Sequence, residues 1–218
     1  MYSAVIVAGG SGLRTGLNER KIWYSIHGKA IIEHTVKAFE SDKDCAQIVI
    51  VGHHDDLNRL RTQFKDRATV VPGGATRSDS VQAGLDLAVA PVVFIHDAAR
   101  PCVSQQALKR LKEGLKQYEA LSLAVPIVDA LKTTQGAQLT QSVSRENLVA
   151  IQTPQAFQRD KLQHAYRHWV EIGKPNFACD ASLYETMLSE PVYYVLGART
   201  NIKFTTLDDV ALLEAVLS

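Results

Sequence analysis

Early in the chain an apolar run breaks into three glycines and a serine, in VIVAGGSGLRTGLNERK (Val5 to Lys21), and two cations, Arg14 and Lys21, follow seven positions apart. Glycines let backbone N–H groups approach an anion closely, and successive amides form a concave nest of partial positive charge. Arg14 adds a planar fork and Lys21 a point charge. Such a set suits a polyphosphate whose negative charge rises during reaction. A strand-to-helix turn with solvated cations is the alternative. Two familiar phosphate loops fail on spacing. No glycine is followed by four residues and then Gly-Lys-Ser/Thr, so a Walker A loop is absent. Gly10 and Gly12 begin G-x-G-x-x-G, but Thr15 takes the third place and Gly16 lies one position too far. A dinucleotide-dependent dehydrogenase therefore stands as an alternative, to be removed by failure to bind NAD(H).

Two other clusters hold metal-ligand residue types. In His53-His54-Asp55-Asp56 adjacent residues point different ways, and acids suit the first turn of a helix, so a structural role is expected. His164 and His168 stand at i and i+4, on one helix face. Position 165 is alanine, so the base of H-E-x-x-H is missing and a solvated helix face is expected.

The elements that must position these residues alternate. Strands are expected over Val5–Ala8, 47–52, 69–72, 91–97, 121–126 and 192–197, those at Val5–Ala8 and 91–97 buried. Helical spacing recurs at Ile32, Val36 and Phe39, in a polar stretch to about Phe64, at Val81, Leu85 and Ala88, at Leu108, Leu111 and Leu115, and over 161–170 and 181–188. Thr206-Leu207-Asp208-Asp209 opens a last helix with a capping-box pattern. Short β-branched runs alternating with amphipathic helices predict an α/β fold around a mostly parallel sheet, with ligands at the carboxyl ends of its strands. From Ile127 to Val149 the rhythm thins and turns polar around Gln135-Gly136, which predicts a projecting β-hairpin arm. A thin arm cannot bury its own faces, so a second copy of the chain is expected against it.

With 218 residues, 46% hydrophobic and 22% charged, the composition predicts one soluble domain over 1–218 carrying the arm at about 127–149. A net charge of +1 gives no global basic field, so nucleic acid is not an expected partner. Cys45, Cys102 and Cys179 are odd in number and far apart, which fits a reducing cytoplasm. No signal-peptide pattern and no apolar run of membrane-spanning length is seen.

Five motifs then occur in order: VAGGSGLRTG followed by Lys21, GGATRSDSV, HDAARP, QTPQAF and NIKFTT. Together they resemble the 2-C-methyl-D-erythritol 4-phosphate cytidylyltransferases of the non-mevalonate isoprenoid pathway, with the ribitol-5-phosphate cytidylyltransferases as a close relative. The resemblance covers nearly the whole chain. It implies a Rossmann-like three-layer nucleotidyltransferase fold, a homodimer, CTP and a polyol phosphate as substrates, and Mg²⁺. It further implies that Ala8, Gly9, Gly10, Ser11, Gly12, Gly74, Asp79 and Ser80 hold the nucleotide, and that Arg14, Lys21 and Lys203 stabilise the reacting phosphate. Asp97 would help hold the metal, and Arg100, Arg145 and Thr153 would meet the acceptor, Arg145 at a neighbouring subunit's site. Bland alternatives exist for several: Asp97 as a helix cap, Arg100 as a surface arginine, Arg77 in a surface ion pair, Lys203 as a solvated strand lysine.

The match departs from the family at named positions. Arg20-Lys21-Ile22 stands where Pro-Lys-Gln is usual, and Gly9 where a second alanine is usual. Ala130 and Ala178 replace threonines, Cys179 and Ser144 replace aspartates. Most of these changes fall on the acceptor side. They keep open ribitol phosphate or another polyol phosphate as acceptor, or a CTP-binding module without transferase activity.

Overall fold

The computed structural model describes residues 1–10 and 19–218. Its strands are β1 (Tyr2–Ala8), β2 (Ser25–Ile26), β3 (Lys29–Ala30), β4 (Cys45–Gly52), β5 (Thr69–Pro72), β6 (Val92–Asp97), β7 (Ala120–Pro126), β8 (Leu131–Gln135), β9 (Gln138–Val143), β10 (Val149–Gln158) and β11 (Tyr193–Leu196). The helices are α1 (Ile31–Glu40), α2 (Leu57–Phe64), α3 (Arg77–Leu85), α4 (Gln105–Gly114), α5 (Arg159–Glu171), α6 (Asp180–Leu188) and α7 (Asp209–Leu217).

Seven strands form one sheet in the order β11-β7-β10-β6-β1-β4-β5. Every neighbouring pair is parallel except those of β10, which runs antiparallel to both β6 and β7. Residues of β1 alternate between two cores, as a strand period of two requires. Ala4, Ile6 and Ala8 face one core, shared with Ile32, Val36 and Phe39 of α1 and Leu108 and Leu111 of α4. Val5 faces the other, shared with Val81 and Leu85 of α3 and Leu162 and Trp169 of α5. Helices thus cover both faces of the sheet, giving three layers.

The chain passes from β1 outward to β4 and β5, then returns to β6 on the other side of β1. Register aligns the strand ends there: Val7 stands opposite Asp97, Ala8 opposite Gly52, and Gly52 opposite Pro72. A crevice at the carboxyl ends of β1 and β6 is the expected result of this reversal.

Two expected boundaries shift. The third predicted helix ends at Leu85, so Ala88 is buried just beyond it. The last begins at Asp209, while the Asp209 carboxylate accepts from the backbone N–H of Thr205 and Thr206 ahead of it. The antiparallel strand β10 carries the motif QTPQAF, whose proline and glutamines argue against a central strand. Its glutamines are buried and bonded: Gln155 Nε2 donates to Ser122 Oγ (3.1 Å), and its Oε1 accepts from the first-turn amide of Ala181 in α6 (2.9 Å). The predicted arm is the separate two-stranded ribbon β8–β9, exposed along its length.

Helix α3 approaches β1 and β4 closely at Gly84. A methyl group at Gly84 would strike Val5 Cγ1 and lie 2.7 Å from Val51 Cγ2. Gly84→Ala should therefore cost about 1–3 kcal/mol by overpacking. In a chain of this size that lowers Tm by roughly 2–4 °C per kcal/mol, measurable by calorimetry.

Candidate active site

A cleft of about 740 Å³ opens at the strand ends identified above. Its walls include Gly9 and Gly10 after β1, Gly73 and Gly74 after β5, Lys21, and Asp97 at the end of β6. Ser11, Gly12 and Arg14, which the sequence places in the same loop as Gly10, lie outside the described residues.

The β5–α3 turn is built by one hydroxyl. Ser80 Oγ accepts from the amide of Gly74 (3.1 Å) and donates to the carbonyl of Thr76 (3.0 Å). The amide of Gly73 bonds the carbonyl of Gly52 (2.8 Å), tying the ends of β4 and β5. A Cβ at Gly73 would sit 2.8 Å from Ser80 Oγ, so this approach needs glycine. Asp79 faces elsewhere. Its Oδ2 closes a capping box with Thr76, and its Oδ1 pairs with Lys174 at 2.7 Å. The Lys174 bond, with Thr76, holds this carboxyl below the usual range. Asp79 is absent from the cleft wall, unlike Ala8, Gly9, Gly10, Gly74 and Ser80.

Asp97 is the centre of the charge distribution. Its Oδ2 meets Lys203 Nζ at 2.7 Å and lies 3.9 Å from Arg100 Nε, and its Oδ1 lies 3.4 Å from Arg77 Nε. Burial pushes this carboxyl up, but Arg77, Lys203 and Arg100 together overcome it and hold Asp97 well below the usual carboxylate range. Arg77 reaches past the cleft to a second buried carboxylate, Asp180, at 2.8 Å. Asp180 in turn accepts from Tyr166 of α5 (2.8 Å). A surface ion pair was the alternative the sequence offered for Arg77. The fold instead aims it at Asp97 and Asp180.

Two loops present these cations. Phe204 is fully buried and its amide bonds the carbonyl of Ala99 (2.8 Å), which pins the segment carrying Lys203 against the end of β6. Asn201 Nδ2 donates to the carbonyl of Thr153 (2.8 Å), and the Asn201 carbonyl accepts from Arg100 Nη1 (2.8 Å). Arg100 is therefore engaged inside the wall rather than offered to the cleft. Thr153 is buried behind Asp97, at a register shift of β10 where bulged backbone re-aims a side chain. The peptide bond between Thr153 and Pro154 is cis. Arg145 lies exposed at the base of the arm and does not line this cleft.

Behind the carboxylate a proton order can be assigned. The carbonyl of Arg100 facing His96 Nε2 can only accept, so the neutral ring leaves Nδ1 to accept from Thr153 Oγ1–H (3.1 Å), and Thr153 Oγ1 accepts from the Asp97 amide (3.1 Å). His96 Nε2 then carries the hydrogen and donates to the carbonyl of Arg100 (3.0 Å). Burial pushes this imidazole down from 6.5 to about 4, so it is neutral at pH 7. Between those values the unfolded chain takes a proton that the folded chain refuses, so stability falls as the pH drops. The His96 contribution amounts to roughly 2 kcal/mol between about pH 7 and pH 5. Replacing His96 with asparagine should flatten the slope of Tm against pH in that interval, whatever it does to Tm itself.

Among the described residues, the group of His, Cys, Asp or Glu side chains able to hold a metal is His53, His54 and Asp55, with His53 and His54 on the cleft wall. Arg20 occupies it: its Nη2 lies 2.7 Å from both His53 Nδ1 and Asp55 Oδ2. The structural role expected for this stretch agrees with that, although its presence on the cleft wall was not legible. Asp97 is the contrasting case, a hard oxygen ligand held ionised at the strand ends. Mg²⁺ binds through one or two carboxylates plus substrate phosphates, so the hard oxygens of Asp97 match its donor preference and imidazole nitrogens do not, while both Asp97 oxygens are paired here with Arg77 and Lys203.

Comparison with known proteins matches residues 2–218 to the family model IspD, 2-C-methyl-D-erythritol 4-phosphate cytidylyltransferase. This chain belongs to the IspD family. Two IspD proteins, each named 2-C-methyl-D-erythritol 4-phosphate cytidylyltransferase, are similar to it throughout. That of Bacillus velezensis is 37% identical over 99% of this chain and 95% of its own length. That of Halalkalibacterium halodurans is 36% identical over 100% and 97%. The crystal structure of the enzyme of that name from Thermus thermophilus superposes with a TM-score of 0.86 at 28% identity, covering 100% of this chain and 99% of the other. The expected α/β fold and the resemblance read from five motifs are thereby borne out.

Proposed function

We propose that the chain transfers CMP from CTP to 2-C-methyl-D-erythritol 4-phosphate, releasing pyrophosphate and giving 4-diphosphocytidyl-2-C-methyl-D-erythritol. One observation carries the reading. Lys21, Arg77 and Lys203 line a single glycine-walled cleft around an ionised Asp97.

The chemistry follows from charge. An acceptor phosphate oxygen attacks the α-phosphorus of CTP, and the bond from that phosphorus to the bridging oxygen breaks as pyrophosphate leaves. A phosphate monoester has a second pKa of about 6, so the nucleophile is already mostly dianionic at neutral pH and no general base is needed. The barrier lies in bringing two anions together in line. Gly9 and Gly10 offer backbone amides to the nucleotide, with Ala8, Gly74 and Ser80 lining the cleft beside them. Lys21 and Lys203 neutralise charge at the reacting phosphate, and Arg14 of the same loop is proposed to act with them. Arg77 holds Asp97 in place through Oδ1. Asp97 would hold a divalent cation, Mg²⁺ by its oxygen donor, which supplies Lewis-acid neutralisation of phosphate charge when bound. Asp79 is proposed to reach the nucleotide only by giving up its capping box, so its contribution is the smallest of the set.

Acceptor contacts are proposed for Thr153 and Arg100 through the wall they build, and for Arg145 from the arm of a second subunit. Leu139 and Val143 of the arm are exposed, at 66% and 38%, which is the apolar surface a homodimer would cover. A cytoplasmic location agrees with three free cysteines. Among the described residues no helix is long and apolar enough to cross a membrane.

The test is pyrophosphate release from CTP and Mg²⁺ with a panel of methylerythritol, ribitol, arabitol and glycerol phosphates. Release only with the first supports the proposal. Release only with ribitol phosphate would shift the acceptor, and CTP binding without product from any acceptor would leave a nucleotide-binding module.

A further inference from the structure

The second histidine motif lies away from the cleft, on α5. His164 is exposed and His168 half-buried, and the helical repeat stacks them one turn apart. Their rings stand nearly perpendicular, at 82° with centroids 4.4 Å apart, and their Nε2 atoms converge to 3.0 Å. His168 Nδ1 lies 3.3 Å from the carbonyl of Met187 in α6. A carbonyl only accepts, so Nδ1 carries the hydrogen and His168 Nε2 presents its lone pair outward. Protein imidazoles that bind metals are usually fixed in this way, by a bond from the other ring nitrogen to a carbonyl or carboxylate.

We propose that His164 and His168 form a two-nitrogen chelate for a borderline divalent transition ion, of the class Ni²⁺, Cu²⁺ or Zn²⁺. Metal–imidazole bonds of about 2.0–2.1 Å at cis or tetrahedral angles place their two nitrogens about 2.8–3.4 Å apart, which brackets the observed separation. Without metal, the short contact needs one hydrogen between the nitrogens, donated by His164 Nε2 to His168 Nε2. On binding, that hydrogen moves to the other ring nitrogen of His164, and both lone pairs face the ion. Water fills the remaining positions. The nearby carboxylate of Glu190 is already bonded to Lys161 (2.6 Å) and Tyr184 (2.7 Å), and it adds negative field without acting as a ligand. A site of neutral nitrogens selects the later transition ions and rejects Mg²⁺, so it is separate from the ion proposed at Asp97. The His53–His54–Asp55 cluster does not compete, because the guanidinium of Arg20 stands among its ligand atoms.

The test is calorimetric titration of the full chain with Ni²⁺ at about pH 7.5, above the ordinary imidazole pKa of about 6.5, with Mg²⁺ in excess. One Ni²⁺ should bind, and Tm should rise with Ni²⁺ concentration. Losing an outer-shell partner of a metal site typically costs 10–100-fold in affinity, so H164A and H168A should each weaken binding by at least about 10-fold. Both should also remove the rise in Tm. The double variant H53A/H54A should bind Ni²⁺ like the parent. Ni²⁺ affinity unchanged in H164A would overturn the proposal. So would loss of binding in H53A/H54A alone, which would move the site to the cleft.

Discussion

Asp97→Asn should abolish cytidylyl transfer for practical purposes, with a loss of at least about 10³-fold in kcat. Removing a single preorganised charge contact in an active site typically costs 10²–10³-fold, and Asp97 combines two roles. It would hold the divalent cation, and it fixes Arg77 and Lys203 through separate oxygens. Asparagine keeps the shape but turns one of those oxygens into an N–H₂ group that faces a cation. Among the described residues, Arg77, Arg100 and Lys203 then crowd together with Asp180 opposing them through Arg77. Breaking a buried pair in this way costs about 3–5 kcal/mol, reduced here on the side of the partly exposed Lys203. Thermal unfolding should therefore move down by roughly 10 °C. The sign of the binding effect separates chemistry from affinity. The cleft of the variant is more positive, so CTP measured without metal should bind as tightly as before or tighter. A variant that turns over normally, or that fails only by losing CTP, would remove Asp97 from the reaction centre.

Lys21→Ala is the second large effect. Lys21 opens a single 3₁₀ turn (Lys21–Trp23), and Ile22 and Trp23 behind it are buried. That anchorage holds the amine on the cleft wall. Losing its charge at a phosphate that becomes more negative in the transition state should lower kcat by about 10²–10³-fold. Since Ile22 and Trp23 carry the packing, Tm should shift by only a few degrees. Lys21→Arg should recover part of the loss, because the charge returns without the point geometry of an ammonium. Full turnover in Lys21→Ala would show that the positive charge at the reacting phosphate comes from other residues.

Much of this architecture was readable because its signals are local. The runs at Val5–Ala8, 47–52 and 91–97 are apolar on both faces, as strands covered by helices on two sides must be. The glycine pairs at Gly9-Gly10 and Gly73-Gly74 mark the strand ends that form the cleft. What stayed hidden depends on contacts distant in sequence. Strand β10 reads poorly because Gln152, Pro154 and Gln155 violate a strand pattern, and only their partners in β7, α6 and the turn at Ala198 make them tolerable. The pairing of Arg77 with Asp180 spans 103 positions and carries no spacing signature. Likewise Asp79, a neighbour of Ser80 in sequence, is separated from it in role by one helix cap. His53 and His54 were weighed as metal ligands and not as cleft wall, since nothing local shows that β4 ends between β1 and β5.

Strand β10 is also a single rod with its two ends in different surroundings. Ala150 and Ile151 are exposed near the arm, while Gln155 to Phe157 are fully buried, and Thr153 between them receives the Asp97 amide. A truncation that treats the whole segment 127–149 as a removable appendage would cut the root of that rod. Excision stopping at Val143, where β9 ends, spares it. For anyone shortening or splicing this chain, the safe seam lies six residues nearer the tip than the change in sequence character suggests.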